Sequence, residues 1–454
     1  MKLIKLKGPW IIIMILFIIT SSCKKFLDQK PDQKLAVPST LYDLQTLLDN
    51  YSVLPLDPAS DEVSADNYYL TTTTWQSLSL ETDRRMYTWE KDNIFQPVSG
   101  DWVTVYRKIY YYNTVLDYLQ KIPVTTSNAA EWNHIKGQAL MLRAKSFLQA
   151  AVIWSLAYDP ATAAADLGIP LKLKADLNEV SVRSSVEQTY EQVIGDLKAS
   201  VPLLPPKAIH VVRASRSAAY AFLARTYLAM RDYANAGRYA DSCLQISNTL
   251  LNYNTLSTTA TYPFSQYNTE VLFQSSQLPS ILANTRAKID SALYASYAAN
   301  DCRKTIFFKA NTDGTWGFKG SYDGSGGGLH TGIATDEVYL MRAECFARAG
   351  NTAAALTDLN TLLQMRMKTG TFIPVTAGSP GQALFIILQE RRKELLMRCT
   401  RWMDIKRLNK EGAGITLKRI VNNQVYTLPP NDLRYALAIP EYIIDITGMP
   451  QNPR

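Results

Sequence analysis

The chain offers few residues whose types and spacing could form a reaction centre. Its three histidines, His134, His210 and His330, stand in unrelated contexts, and none belongs to an HExxH or another pair at metal-ligand spacing. No GxSxG element marks a nucleophile elbow. The glycine-rich run from Gly324 to Gly328 lacks the Lys-Ser or Lys-Thr that completes a phosphate loop. Glu390 and Glu394, one helical turn apart, come nearest to an acid and base for glycoside hydrolysis. Such carboxyls must face each other across a sugar, whereas these share one helix with Arg391, Arg392, Lys393 and Arg398. That is the pattern of a salt-bridged structural face. Arg401, Trp402 and Asp404 read the same way, as a packing and ion-pair cluster. Neither a catalytic residue nor a cofactor nor a metal site is expected.

A different chemistry is available in two polar segments. A pyranose presents an apolar C–H face and a rim of hydroxyls, so its recognition calls for flat aromatics flanked by hydrogen-bonding side chains. The loop 61–90 supplies Asp66, Asn67, Tyr68, Tyr69, Trp75 and Trp89, and the loop 262–323 supplies Tyr267, Trp316 and Tyr322. These nine are the candidate ligand-binding residues. For each, the alternative is that it pins its loop to the body of the protein. Trp102, Trp132, Trp154 and Trp402 fall at helical spacing that suits a core instead.

These loops must be held by something, and the rest of the chain reads as helices. Trp102, Val105, Tyr106, Ile109, Asn113 and Leu116 share a helical face after Asp101, and a further helix is expected over 129–157. Ser184 and Glu187 are placed to box the start of a helix over 185–200, which stops at Pro202 and the Pro205-Pro206 pair. Ser379, Pro380 and Gln382 open a helix expected to run over 380–409. Short strands are expected near 271–275 and 419–428. Two segments also repeat. Shifting Leu223–Leu244 by 119 residues sets Ala224 on Ala343, Tyr227 on Phe346, Asp232 on Asn351 and Ala236 on Ala355. Each is a helix, a tight turn and a second helix, with small alanines at the crossings, as in a tetratricopeptide repeat. The fold class is therefore mostly α: a tetratricopeptide-like helix-pair scaffold with long irregular loop insertions and a few short strands.

The N-terminus carries Lys2, Lys5 and Lys7, then an apolar run from Trp10 to Ile19, then Thr20, Ser21 and Ser22. That order is a secretory signal, and the apolar run is short of the about 20 residues of a membrane span. Cys23 follows directly, where a lipoprotein Cys receives its lipid. The expected division is a signal peptide over 1–22 and a single mature domain over 23–454, in an N-terminal part 23–205 and a C-terminal part 206–454. Removing the signal takes away three lysines of a formal charge of +8. The remaining charge is spread along the chain, and with the export signal it excludes nucleic acid as a partner. Cys243, Cys345 and Cys399 sit in helical patterns as buried free thiols, Cys302 lies in a polar segment, and no CxxC pair occurs.

In order along the chain stand Gln138, Arg143, Ala144 and Phe147; Tyr190, Asp196 and Leu197 before Pro205; Leu223, Ala224, Arg225 and Tyr227; Asp336, Glu337, Tyr339, Arg342, Ala343 and Glu344; Glu390, Arg391, Arg392 and Glu394 before Arg401, Trp402 and Asp404; and Pro440 before Gln451, Asn452 and Pro453. In this order the chain resembles the SusD/RagB family of nutrient-uptake outer-membrane lipoproteins. One departure is Met397-Arg398-Cys399, where that family tends to have an aromatic, an acid and a glycine. The resemblance implies a lipid-tethered, non-catalytic protein at the outer membrane, facing the cell exterior. It would bind a glycan or another nutrient, in some members a peptide, and cap a SusC-like TonB-dependent transporter. A tetratricopeptide-type scaffold that binds only proteins is the alternative.

Overall fold

A computed structural model describes residues 37–454; Cys23 and the signal segment lie outside the described residues. Within Leu41–Arg454 the architecture is a set of antiparallel helix pairs carrying loops. Helix Asp101–Leu119 packs on the long helix Ala129–Trp154, which packs in turn on Val186–Ser200. Pairs Arg216–Ala229 with Tyr233–Leu244, and Thr335–Arg348 with Thr352–Gln364, are the two repeats read from the sequence, and they adjoin each other. Close approach needs small side chains, and Ala218, Ala219, Ala221, Ala224, Ala343 and Ala355 are all fully buried.

Each repeat turns the chain with the same device. Arg231 and Gly350 take left-handed backbone, after which the side chains of Asp232 and Asn351 accept the backbone N–H of Asn235 and Ala354 at 3.0 and 3.1 Å. These caps satisfy donors that a helix start leaves without partners. The box at the next-to-long helix falls one residue later than its expected position. Ser185 Oγ accepts from Gln188 N–H at 3.1 Å, and Gln188 Oε1 accepts from Ser185 N–H at 3.0 Å.

One expected helix is interrupted. In place of a continuous 380–409 the chain forms Pro380–Glu394 and Arg401–Asn409, separated by a turn in which Met397 and Cys399 have φ of 58° and 55°. The turn sends Arg398 into a buried ion pair with Asp336 at 3.1 Å and aims Cys399 N–H at Glu62 Oε2 at 2.9 Å. These buried polar contacts outweigh the propensity of the segment to continue as helix. Cys399 is consequently half-buried, whereas Cys243, Cys302 and Cys345 are buried, and all four are free.

The strands are short antiparallel pairs that clip loops to helices. Val271–Phe273 meets Ile333–Ala334, Tyr68–Tyr69 meets Lys288–Ile289, and Leu417–Val421 forms a hairpin with Gln424–Leu428. Asn422 and Asn423, both left-handed, make its turn. Among the described residues no helix is long and apolar enough to cross a membrane.

Candidate functional site

Three distant segments close around a cleft of about 350 Å³: residues 56–63, residues 80–104 and residues 278–281. A backbone ladder joins the first to the third, with Asp57 N–H donating to Ser276 O and Ser276 N–H to Pro55 O, both at 2.8 Å. The second segment is fixed at Trp89 and at Gly100. Trp89, at φ 54°, buries its ring and donates Nε1–H to Ser64 O at 3.0 Å. Gly100, at φ 103°, hands the chain into helix Asp101–Leu119. Bulky residues at positive φ are costly and collect where a functional loop must keep one shape.

The cleft walls combine apolar and polar groups. Leu80 and Leu278 stand exposed at the rim, above the better-buried Met86, Ile94 and Phe95. Gln96 donates to Thr82 Oγ1 at 2.7 Å. Asp101 Oδ2 accepts the backbone N–H of Ala59 and Ser60 at 2.9 and 2.8 Å and so caps the helix Ser60–Ser64 from outside. On the floor, Asp57 receives Lys108 Nζ on one oxygen and Lys145 Nζ on the other, each at 2.6 Å.

Electrostatics differ between floor and wall. Burial disfavours the Asp57 carboxylate, yet the two ammoniums hold its pKa well below the ordinary range. Burial lowers Lys145 to about 8, a fall that Asp57 limits. Asp83, on the wall, is raised by burial against the Arg286 and Arg84 charges. Asp101 is likewise raised by burial, against the hydrogen bonds from Ser60 and Ala59.

The nine aromatic and polar candidates read from the loops do not line this cleft. Asn67, Tyr68, Trp89 and Tyr322 are buried, and their side-chain donors are engaged, while Asn67 Oδ1 has no hydrogen-bond partner. Asn67 donates to Glu62, Tyr68 to Val63 O, and Tyr322 to Glu270 at 2.6 Å. Asp66 is held by Arg401 Nε at 2.6 Å and Arg392 at 3.3 Å. Tyr69, Trp75, Tyr267 and Trp316 keep part of their surface in solvent. Trp316 stacks on Tyr294 with centroids 4.1 Å apart, and Trp75 donates to Arg84 O at 3.2 Å. Tyr267 packs edge-on against His210 and meets the hydroxyl of the exposed Tyr51, which lines a hollow of about 240 Å³ with Arg213 and Gln274. Composition marked the loops but missed Leu80, Asp83, Gln96, Asp101 and Leu278. They converge only in space, and none carries an aromatic signal.

A second constellation lies in the interior. Glu394 accepts from Arg366 Nε at 2.7 Å and from Arg303 Nη1 at 2.9 Å, while Arg303 also meets Glu390 at 2.6 Å and Arg366 meets Glu270 at 2.8 Å. Glu390 and Glu394 are thus engaged in ion pairs, as expected, but their main partners are the distant Arg303 and Arg366, with Lys393 alone from the expected helical face. Glu270, Asp336 and Glu394 bring carboxylate oxygens within 4.8 Å of one another. Each of the three already has an arginine on it, Arg366 on Glu270 and Glu394, Arg303 on Glu394 and Arg398 on Asp336, which makes the group a set of ion-pair acceptors.

A family model described as starch-binding, associating with the outer membrane, matches residues 25–228, and the model of the SusD family matches residues 335–437. Between them the two span well over half of the chain. The chain belongs to the SusD family. Its fold is that of a SusD superfamily protein from Bacteroides thetaiotaomicron, at 22% identity and a TM-score of 0.73, over 91% of this chain and 100% of that one. A SusD-like carbohydrate binding protein from Bacteroides vulgatus matches at 20% identity and 0.68, over 90% and 97%. Surface glycan-binding protein A from Bacteroides uniformis matches at 16% and 0.69, over 91% and 99%. At these identities the likeness establishes the fold. A comparison with curated proteins gives no significant match.

Proposed function

We propose that this SusD-family protein is a non-catalytic receptor of the cell surface, which captures a glycan and delivers it to a SusC-like TonB-dependent transporter of the outer membrane. A lipid on Cys23 would hold it there. The observation that carries the reading is the cleft itself. Its amphipathic walls, apolar at Leu80 and Leu278 and hydrogen-bonding at Gln96, Thr82 and Asp83, suit a sugar's two kinds of surface. They occur in a chain whose N-terminal half matches a family described as starch-binding. Two of the three carboxylates that line the cleft are committed, Asp57 to two lysines and Asp101 to two backbone N–H groups, which leaves Asp83 to accept from a ligand's hydroxyls. A lone available carboxylate supports binding without bond cleavage. Trp75, in the helix Thr72–Gln76, and Trp316, in the strand Trp316–Phe318, are half-buried and are proposed as additional stacking surfaces.

The test is retention of the purified mature protein on immobilised polysaccharides, with products assayed in the same samples. Leu278→Asp places a charge on the rim at a solvent-exposed position and is expected to abolish retention while the protein stays folded. Trp75→Ala and Trp316→Ala are expected to weaken it. Retention unchanged in all three variants would remove the cleft and its flanks from the ligand's path, and release of sugar products would overturn the non-catalytic reading. In cells, Cys23→Ala is expected to move the protein from the membrane to the soluble fraction. Co-purification of the wild type with a TonB-dependent transporter checks the partner.

A further inference from the structure

Asp57, Asp83 and Asp101 all line the cleft, and no lysine, arginine or histidine does so among the described residues. We infer that the cleft accepts uncharged glycans and turns anionic ones away, with Asp83 as the residue that sets this preference. The inference rests on the receptor reading above and names the substrate class of the same site.

The three carboxylates are not equivalent. Asp57 is fully buried and its two oxygens are taken by Lys108 and Lys145, whose ammoniums lie beneath the floor and are buried with it. Asp101 spends one oxygen on two backbone N–H groups. Asp83 is different. It stands half-buried in the first turn of the helix Glu81–Tyr87, on the wall of the cleft. The nearby Arg84 is committed to Glu81 at 2.7 Å and to the Leu78 carbonyl. Arg286, the other cation acting on Asp83, donates to Ser280 O at 3.2 Å and is not part of the lining. A uronate or sulfate entering the cleft would therefore meet the Asp83 carboxylate on its wall, with no guanidinium or ammonium among the lining residues to pair with it. Recognition of carboxylate and sulfate groups calls for such cations. A neutral pyranose incurs no such penalty, and its hydroxyls can donate to Asp83 and Asp101.

The experiment compares retention on neutral polysaccharides (soluble starch, laminarin, xylan, galactomannan) with retention on polygalacturonate, alginate and a sulfated galactan, at low ionic strength where charge effects are largest. The wild type is expected to retain at least one neutral polymer and none of the anionic ones. Asp83→Lys is expected to raise the ratio of anionic to neutral retention at least fivefold, and Asp83→Asn to raise it less. Circular dichroism confirms that each variant is folded. Anionic polymers retained by the wild type as firmly as neutral ones, or a ratio unmoved in both variants, would overturn the charge preference alone. Folded wild type that retains no polymer of either kind would overturn the receptor reading, and this inference with it.

Discussion

Arg231 and Gly350 occupy the same left-handed step of the two helix pairs, with φ of 64° and 81°. Glycine reaches this conformation without steric cost, whereas a residue with a Cβ gives up roughly 1–2 kcal/mol there. Arg231 recovers part of that loss by donating Nη1–H to Tyr158 O at 2.7 Å. A Cβ added at Gly350 would meet nothing within 4 Å, so Gly350→Ala isolates the backbone term. It is expected to destabilise by about 1 kcal/mol, read as a lower denaturant midpoint with an unchanged slope.

The buried arginine lattice permits a larger effect. Glu394 lies between Arg303 and Arg366, all three fully enclosed. Removing one member of a buried pair leaves the other charge uncompensated, at a cost of about 3–5 kcal/mol. Glu394→Gln retains the shape and one acceptor but not the charge, and Glu394→Ala retains neither. Both should lower the thermal midpoint, Glu394→Ala more. Wild-type stability in both variants would overturn the assignment of Glu394 to the ion-pair lattice.

Much of the fold was legible because it is written locally. The alanine-and-aromatic pattern of 223–244 recurs over 342–363, and Asp232 and Asn351 cap the second helix of each pair as their types suggest. The break at Leu395–Thr400 was not legible, since its cause is non-local: Asp336 and Glu62 draw Arg398 and Cys399 out of helical register. Cys399, at φ 55°, holds a position where the resemblance points to glycine, and its backbone accounts for that preference. Composition alone set the loops apart from the helical body. Which of their residues face solvent was not, because an aromatic that anchors a loop and one that meets a ligand differ in burial and not in type.

Lys406 ties stability to pH. Its ammonium is buried and donates to Val152 O and Ser155 O at the end of the long helix, at 2.7 and 2.6 Å. Burial lowers its pKa from the usual lysine range to about 7, with Asp61 opposing. Between pH 7 and the ordinary lysine value the unfolded chain binds a proton that the folded chain does not. The Lys406 contribution to stability therefore rises with pH across that window and is least below pH 7, where both states are protonated. In denaturation at successive pH values, wild type should gain stability relative to Lys406→Met between pH 7 and 10. A difference curve flat over that range would contradict the assignment.

Trp89 and Trp316 separate the two roles open to the loop aromatics. Trp89 is buried beneath the Arg419 guanidinium, 4.5 Å from its ring, and its indole N–H is bound to Ser64 O. Truncation there removes a large buried ring and a hydrogen bond, so Trp89→Ala should cost about 3–5 kcal/mol. Trp89→Phe should recover most of it. Trp316 presents one side to solvent and the other to Tyr294. Its loss forfeits one half-exposed stacked pair, and Trp316→Ala should cost only about 1 kcal/mol. Polysaccharide retention measured well below each variant's unfolding transition then divides the two. Trp316→Ala is expected to be stable and weak in binding, while Trp89→Ala is expected to lose stability first and binding only as the loop 88–100 comes loose. Equal losses of stability in the two alanine variants would place Trp316 with the packing residues and leave the cleft walls to recognise the glycan alone.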